Sequence, residues 1–400
     1  RPTRLPELQK LITDPLGNSL HFAYNPAGQL IAQTDRLGQT TSYEYDSAGR
    51  LWQVWDALNR VVVTFSYNPD GTLAQESHPT AAGDYLIFYE TYDALRRPLR
   101  ITDNAGHTLE LTYNESGQVT SLTDGLGRLT RYEYNSLGLM SAVMQNAVSG
   151  VAPDAQTNVR TQYEYDLLGN LTGITDANGH STTFTYDVLD RLIGISDPLG
   201  NVTTFSYDPL GNLTARHDPN GNTILYSYDL ANRLQAVDYP PGTADVSFEY
   251  DPLGRLAAMQ DGLGRTSWSY DPLGRITGVT DPFGKTLTYG YNAEGRRTSL
   301  TYPSATGKVL TYHYDPPGRL VEVREGSTPL VQYIYDVAGR LIQRSLANGV
   351  SSHYTYDLSG QLIELQHLTQ DNIYTYAYEY DAVGNLTLSE ESRQSRATPT

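Results

Sequence analysis

The sequence predicts an all-β protein, an antiparallel array of β-hairpin repeats that forms one long curved sheet. A tyrosine-centred motif recurs about every 21 residues along nearly the whole chain, and two turn sequences rich in Asp, Asn and Gly fall within each interval. The composition agrees, because 32 Tyr, 35 Gly and 21 Pro favour strands and turns over helices.

The motif reads Tyr, then Asp or Asn, two variable residues, Gly, a polar residue and usually Leu. Nine of the 16 intervals between its copies are 21 residues long, so chance does not explain the repetition. The 17 copies begin at Tyr24, Tyr45, Tyr67, Tyr92, Tyr113, Tyr134, Tyr165, Tyr186, Tyr207, Tyr228, Tyr250, Tyr270, Tyr291, Tyr314, Tyr335, Tyr356 and Tyr380. We therefore interpret residues 1–400 as a single array, with 17 hairpin repeats over about 13–388 and a tail at 389–400.

The chemistry of the motif is that of a tight hairpin turn. The Asp208 side chain can accept a hydrogen bond from the backbone two residues on, and Pro209 presets φ for the first corner of a type I turn. Gly211 supplies the left-handed residue that completes a hairpin with a G1 bulge. The structural motif residues predicted on this basis are Tyr207, Asp208, Gly211, Leu213, Tyr250, Asp251, Gly254, Tyr270, Asp271 and Gly274.

Three copies lack glycine at the left-handed position. Asp190 and Asn232 replace it in two of them, and both residue types tolerate left-handed geometry better than most. Arg96 occupies the third, which predicts a different turn there.

A second turn follows roughly ten residues after the first, as in Asp197-Pro198-Leu199-Gly200, and leaves two strands of about six or seven residues per repeat. An aromatic residue stands two positions before the motif tyrosine in 15 copies. Residues i and i+2 of a strand share a face, so we expect aromatic ladders to hold the repeats together. In the second strand, Leu192-type and Ile195-type residues fall on different faces unless a bulge intervenes, and the sequence leaves this open.

Charge and composition argue against several functions. A net charge of −17 disfavours nucleic acid and anionic membranes as partners, and no apolar run is long enough for membrane insertion. The chain has no Cys, its eight His are scattered, and most carboxylates head turns. We therefore predict no catalytic, cofactor-binding or metal-binding residue, no cofactor and no enzyme activity; weak Ca²⁺ binding by the Asp-rich turns stays open.

One interval is longer than the others. Tyr134 and Tyr165 are 31 residues apart, and the extra length is a loop at 145–158 that is rich in Gly, Pro, Ala and Asn. The simplest interpretation is a tolerated surface loop, and the alternative is a binding loop, since insertions in repeat arrays often carry function.

The 17 motifs with their intervening Asp-Pro-x-Gly turns resemble the Rhs/YD-repeat family, which includes bacterial Rhs polymorphic toxins, the shell-forming component of Tc toxins and the metazoan teneurins. The resemblance implies a strip that spirals as part of a hollow YD-repeat shell, which in the bacterial toxins encloses a C-terminal toxin domain. Rhs shells release that domain at an Asp-Pro-x-Gly-Leu sequence, whereas here Arg, Asn or Lys follows every Asp-Pro-x-Gly. The autoprotease residues are therefore not carried over.

We accordingly predict a structural shell segment of a larger exported protein used in bacterial competition. It helps to encapsulate and deliver a C-terminal toxin domain that is not present in this chain. The expected partner is the rest of its own polypeptide, with secretion-system components or surface glycans as further candidates, and the expected location is secreted or cell-surface. The alternative is a cell-surface adhesion or carbohydrate-binding module. Aromatic residues buried in the sheet favour the shell, and exposed ladders favour adhesion.

Overall fold

A computed structural model describes residues 10–154, 156–303 and 307–395. These residues form 35 β-strands and no helix, and all the strands belong to one sheet in which consecutive strands pair antiparallel. The predicted all-β fold, an array of antiparallel hairpins, is confirmed.

The strands are β1 (Leu11–Thr13), β2 (Ser19–Tyr24), β3 (Leu30–Thr34), β4 (Thr40–Tyr45), β5 (Leu51–Trp55), β6 (Val61–Tyr67), β7 (Leu73–Thr80), β8 (Gly83–Tyr92), β9 (Pro98–Asp103), β10 (Thr108–Tyr113), β11 (Val119–Thr123), β12 (Leu129–Tyr134), β13 (Met140–Gln145), β14 (Val159–Tyr165), β15 (Leu171–Thr175), β16 (Ser181–Tyr186), β17 (Leu192–Ser196), β18 (Val202–Tyr207), β19 (Leu213–His217), β20 (Thr223–Tyr228), β21 (Leu234–Asp238), β22 (Val246–Tyr250), β23 (Leu256–Asp261), β24 (Gly264–Tyr270), β25 (Ile276–Thr280), β26 (Thr286–Tyr291), β27 (Arg297–Thr301), β28 (Val309–Tyr314), β29 (Leu320–Glu325), β30 (Thr328–Tyr335), β31 (Leu341–Leu346), β32 (Ser351–Tyr356), β33 (Leu362–Leu368), β34 (Asn372–Tyr380) and β35 (Leu386–Ser395).

A β-bulge follows the motif turn and decides which face each side chain takes. In the hairpin of β16 and β17, Tyr186 pairs with Leu192, whereas Thr185 pairs with Gly194, so one residue of β17 is left over. Beyond the bulge, Phe184 pairs with Ile195. Directly opposed residues point to the same face, so the bulge places Leu192 and Ile195 together on the aromatic face. The bulge therefore decides which face the Leu192-type and Ile195-type residues take, a point that the sequence left open.

The sheet has little deep core. Its most buried apolar residues are mainly small, such as Ala142 and Ala258, each 1% exposed. The accessible surface of the chain is 24096 Å², whereas a compact globular protein of 44.3 kDa exposes about 15,500 Å². Strand pairing, turns and contacts between neighbouring repeats therefore stabilise the array more than a central core does.

The described chain divides into two compact units. Unit 1 takes in the residues up to Thr108, Tyr270–Gly278 and the residues from Thr286 onward. Unit 2 takes in Leu109–Ser269 and Val279–Lys285.

Two further segments were singled out from the sequence, the tail at 389–400 and the loop at 145–158. Strand β35 runs to Ser395 and pairs along its length with β34, so residues 389–395 are strand and not a tail. The remaining tail residues, 396–400, lie outside the described residues. Strand β13 ends at Gln145 and β14 begins at Val159, and the predicted loop at 145–158 falls largely between these two strands.

Candidate functional site

The motif turn is built around the carboxylate of its first residue. In the turn after β18, Asp208 Oδ1 accepts hydrogen bonds from the backbone N–H groups of Leu210 (2.9 Å) and Asn212 (2.8 Å). The Gly211 N–H donates to the Asp208 carbonyl (3.1 Å), and Gly211 has φ of +90°. These are the bonds and backbone angles of a type I turn with a G1 bulge.

The other motif residues singled out from the sequence occupy equivalent positions. Asp251 Oδ1 accepts from Leu253 N and Asp271 Oδ1 from Leu273 N, both at 2.9 Å. Gly254 and Gly274 have φ of +82° and +80°. The three motif tyrosines end β18, β22 and β24, and Leu213 pairs with Tyr207 across the bulge.

Residues other than glycine at the left-handed position form the same turn. Asp190, Asn232 and Arg96 have φ of +59°, +58° and +62°. The Arg96 N–H donates to the Asp93 carbonyl at 3.0 Å, as glycine does elsewhere. The prediction of a different turn at Arg96 is therefore wrong. The hydrogen bonds that Asp93 Oδ1 accepts from the N–H groups of Leu95 and Arg97 hold the turn, even though a side chain at this φ is strained.

The hydroxyl of the motif tyrosine joins each repeat to the one before it. Tyr207 Oη donates to the Leu192 carbonyl at 2.7 Å, and Tyr250 Oη donates to the Leu234 carbonyl at 2.7 Å. The same bond to the first residue of the preceding strand is made by Tyr45, Tyr67, Tyr92, Tyr134, Tyr165, Tyr186, Tyr228, Tyr291, Tyr314, Tyr335, Tyr356 and Tyr380. This bond was not predicted from the sequence, since its acceptor is a main-chain carbonyl without a side-chain signature.

An arginine covers the tyrosine ring from the neighbouring repeat. The Arg191 guanidinium lies 4.9 Å from the centroid of the Tyr207 ring. It donates from Nη1 to the Asp208 carbonyl (3.0 Å) and from Nε to Asp187 Oδ2 (2.7 Å). The same stacking joins Arg50 to Tyr67, Arg233 to Tyr250, Arg275 to Tyr291, Arg319 to Tyr335 and Arg340 to Tyr356. The expected aromatic ladder is therefore in part a tyrosine–arginine ladder, and the arginine that follows the left-handed residue of the motif turn was the available signal.

Tyr207, Leu192, Arg191 and Asp208, and the equivalent residues of other repeats, thus form the contact between neighbouring repeats. All 17 motif tyrosines are half-buried. Burial raises the pKa of Tyr228, Tyr335 and Tyr356, so these phenols stay protonated and able to donate.

Hydrogen bonds hold the turn carboxylates in their charged form. The Arg191 side chain lowers the pKa of Asp187, and the Asn212 side chain lowers the pKa of Asp208. These carboxylates are engaged within their own turns. Among the residues that the structure describes, no group of three or more His, Cys, Asp or Glu side chains is placed to hold a metal ion.

The inserted loop is ordered around Asn158, which is 6% exposed. Its side chain accepts from Val148 N (2.8 Å) and donates to the carbonyls of Val148 and Val151 (3.1 and 2.8 Å). A polar cavity of about 540 Å³ lies between the loop and the turn that begins at Asp124. Asn158 therefore holds the neighbouring loop residues Val148 and Val151 in place, and a binding role for the loop stays a prediction.

The two kinds of turn alternate along the array and so lie on opposite edges of the strip. We call these the motif-turn edge and the second-turn edge. Within unit 1 the two edges meet: Glu294, in a motif turn, accepts from the N–H of Arg36, in a second turn, at 2.5 Å. The Arg36 side chain also lies 4.0 Å from Glu294 and 3.6 Å from Asp14. Segments 258 residues apart in the sequence are therefore in contact.

Comparison with known proteins agrees with this architecture. The family model for the teneurin YD shell matches residues 62–272 and 260–396, and the RHS repeat model matches residues 24–54. The chain belongs to the teneurin YD-shell family. As a YD-shell domain it has a structural role.

Solved Tc toxin structures are similar to this YD-shell chain. The TcdB2–TccC3 complex has 16% identity and a TM-score of 0.48 over 94% of this chain and 25% of that one. The TcdB2–TccC3–Cdc42 structure has 16% identity and a TM-score of 0.46 over 95% and 25%. The holotoxin pore of Photorhabdus luminescens has 16% identity and a TM-score of 0.47 over 94% and 24%. The chain spans about a quarter of the length of these solved chains. No curated protein matches it, and the described residues contain no helix that could span a membrane.

Proposed function

We propose that this YD-shell segment forms part of a wall that encloses a C-terminal toxin domain of a longer, exported Rhs-type polypeptide and helps to deliver it. The observation that supports this most is the contact between the two edges of the strip within unit 1, carried by Arg36 and Glu294. A sheet one layer thick whose edges pack on each other is the construction that a wall requires.

The aromatic face favours a wall over an adhesive surface. The motif tyrosines are half-buried and their hydroxyls are bonded to main-chain carbonyls, as at Tyr207. A sugar-binding platform needs an open aromatic face, whereas here Arg191 covers the Tyr207 ring and five equivalent arginines cover their motif tyrosines. The aromatic side chains therefore serve cohesion between repeats.

Limited proteolysis of the longer natural polypeptide tests the proposal. We expect the domain that follows the repeats to resist protease in the wild type. Gly211→Val, which forces a β-branched residue into φ of +90°, should open the wall locally and expose that domain. Asn232→Gly is the matched control, because glycine suits its φ of +58° and should leave protection unchanged. Equal cleavage of the following domain in the wild type and in Gly211→Val contradicts enclosure.

A further inference from the structure

The polar cavity beside the inserted loop, within unit 2, has the size of a ligand site. Its volume of about 540 Å³ lies in the range of about 300–1,000 Å³ that small-molecule sites occupy. Asp124 and Arg128 line it from the turn, and Asn146 and Gln156 line it from the loop. Three neighbouring strands contribute the remaining lining residues, which are Thr130, Gln145 and Val159.

The cavity continues the aromatic face of the sheet at its second-turn edge. Tyr132 pairs with Val143, and Val143 pairs with Thr161. Gln145 stands two residues beyond Val143 and therefore points to the same face, where it pairs with Val159. The row formed by Gln145 and Val159 contains no aromatic residue. The face is thus polar at this end, in contrast to the tyrosine–arginine contacts further along the strands.

Several hydrogen-bonding groups of the lining are unused by the part of the chain that the structure describes. The side-chain amides of Gln145 and Gln156 and the hydroxyl of Thr130 make no hydrogen bond to any described residue. The two charged residues of the lining bind each other, because Arg128 donates from Nε to Asp124 Oδ2 at 2.8 Å. The lining therefore offers neutral donors and acceptors and has no net charge.

The same turn sequence occurs twice in unit 2, and the two copies differ. Asp-Gly-Leu-Gly-Arg stands at 124–128 and at 261–265. The arginine of the first copy turns back to its own aspartate, whereas Arg265 donates to Glu249 of β22 at 2.6 Å. The leucine is 47% exposed in the first copy and 78% exposed in the second. The second copy is thus the more open turn and serves as an internal control.

Hydrogen bonds hold the loop side of the cavity in place before a ligand binds. Asn146 Nδ2 donates to the Gln156 carbonyl (2.7 Å), and the Asn158 N–H donates to the Asn146 carbonyl (3.0 Å). Asp154 Oδ1 accepts from the Gln156 N–H at 2.8 Å. Ligand binding therefore requires little further ordering of these residues, and this favours affinity.

We propose that this cavity binds a neutral saccharide. A sugar hydroxyl both donates and accepts hydrogen bonds, and a glutamine amide presents one acceptor and two donors in one plane. Gln145 and Gln156 can therefore each bind two neighbouring hydroxyls, and Thr130 and Arg128 supply further partners. The site is separate from the covered tyrosine rings, and it goes beyond the proposed role of the chain as a wall.

The structure favours a saccharide over other polar ligands. An extended peptide binds by adding a strand at a free sheet edge, whereas β12, β13 and β14 are each paired on both sides. A nucleobase stacks on aromatic side chains, and no aromatic residue lines the cavity. An anionic ligand is disfavoured because the net charge of the chain is −17 and Arg128 is already paired.

Saturation-transfer difference NMR on the 400-residue chain tests the proposal. The probes are glucose, galactose, mannose, N-acetylglucosamine and N-acetylgalactosamine, with N-acetylneuraminic acid as the anionic comparison. We expect saturation transfer to at least one neutral sugar. Gln145→Ala and Gln156→Ala should each weaken its binding by about two- to tenfold, the value of one hydrogen bond. Arg128→Ala should also weaken binding, whereas its matched control Arg265→Ala should leave the affinity unchanged.

A loop-shortened variant removes the cavity and keeps the hairpin. Residues 146–158 are replaced by Asp-Pro-Leu-Gly-Asn, the turn at 197–201, which connects the equivalent strand pair of β17 and β18. We expect an unchanged circular dichroism spectrum and no sugar binding. The exposed Gln145→Ala and Gln156→Ala variants keep the test independent of this replacement.

Three results overturn the proposal: no saturation transfer to any neutral sugar, transfer to N-acetylneuraminic acid alone, or equal binding by the wild type and the loop-shortened variant. Equal affinity of Gln145→Ala, Gln156→Ala and the wild type also overturns it. Protease protection of a following domain does not depend on this cavity, so the proposed wall is tested separately.

Discussion

At the scale of single residues, the motif tyrosine acts through its hydroxyl as well as through its ring. The bond from Tyr207 Oη to the Leu192 carbonyl connects two repeats that strand pairing alone joins only along the backbone. The Arg191 guanidinium, held by Asp187, covers the ring of the same tyrosine. Aspartate and arginine therefore serve two repeats at once, which explains why a turn aspartate is found so often with an arginine four residues later.

Tyr207→Phe removes this hydroxyl and should weaken the contact between β17 and β18 by about 0.5–1.5 kcal/mol, the usual net value of one hydrogen bond. Tyr226→Phe is the control, because Tyr226 makes no side-chain hydrogen bond within the described residues and its loss should have little effect. Hydrogen exchange of the β17 and β18 amides is the measurement, since a long array need not unfold in one step. Equal loss of protection in the two variants contradicts the role given to the phenol.

The lowered pKa of the turn aspartates predicts that the turns lose stability as the pH falls. The pKa of Asp187 and of Asp229 is lowered in the folded chain, first by hydrogen bonds from the Arg191 and Arg233 side chains. A carboxyl with a lowered folded pKa contributes stability above its unfolded pKa, near pH 4, and that contribution is lost as the pH falls through the folded pKa.

We therefore expect the amides of Leu189 and Arg191, which donate to Asp187 Oδ1, to lose protection between about pH 5 and about pH 3. The turn headed by Asn135 is an internal control, because its side chain accepts the same bonds without a titrating group. Protection that falls equally in both turns contradicts the assignment. Hydrogen exchange corrected for intrinsic rates measures both in one sample.

At the scale of strands and hairpins, local chemistry made the turns predictable. Asp208 and Gly211 determine their own turn through bonds that span four residues, so the sequence predicted it correctly. The bulge in β17 was not predictable in the same way, because it depends on the register against β16. The acceptor of the Tyr207 hydroxyl lies 15 residues back and has no side-chain signature. The turn at Arg96 was misjudged because its neighbours, and not its own preference, set its φ.

The hairpin, and not the single strand, is the unit that can be removed. Deleting residues 187–207 joins Tyr186 to Asp208 and keeps every later turn on its own edge. Deleting residues 197–207 removes one turn and one strand, so each later turn moves to the opposite edge. We expect the first variant to keep its circular dichroism spectrum and most of its thermal stability, and the second to lose structure or aggregate. Similar damage in both variants contradicts the repeat architecture.

At the scale of the whole molecule, the bond from Arg36 to Glu294 joins distant segments of unit 1 by two different interactions. The Glu294 carboxylate accepts the backbone N–H of Arg36 and lies near its guanidinium, and both side chains are less than one third exposed. The backbone bond is independent of side-chain charge, whereas the ion pair is screened by salt. Replacing Glu294 by glutamine, a neutral acceptor, removes the ion pair and keeps an acceptor for the backbone hydrogen bond.

Glu294→Ala should weaken the junction by about 1.5–3 kcal/mol, the range for a hydrogen bond to a charged group, because both interactions are lost. Glu294→Gln keeps an acceptor and should weaken the junction less than Glu294→Ala does. The contribution of the remaining hydrogen bond should not depend on salt concentration. Glu115→Ala, at an exposed glutamate in a unit 2 motif turn, is the control and should leave the junction unchanged.

Cross-linking between engineered cysteines at positions 37 and 293 reports the separation of the two segments. The hairpins themselves should keep their hydrogen-exchange protection in all three variants, because their strand pairing is local. A Glu294→Ala variant that cross-links as well as the wild type at every salt concentration shows that the junction is held by apolar turn contacts instead, such as that of Leu358 with Gly83.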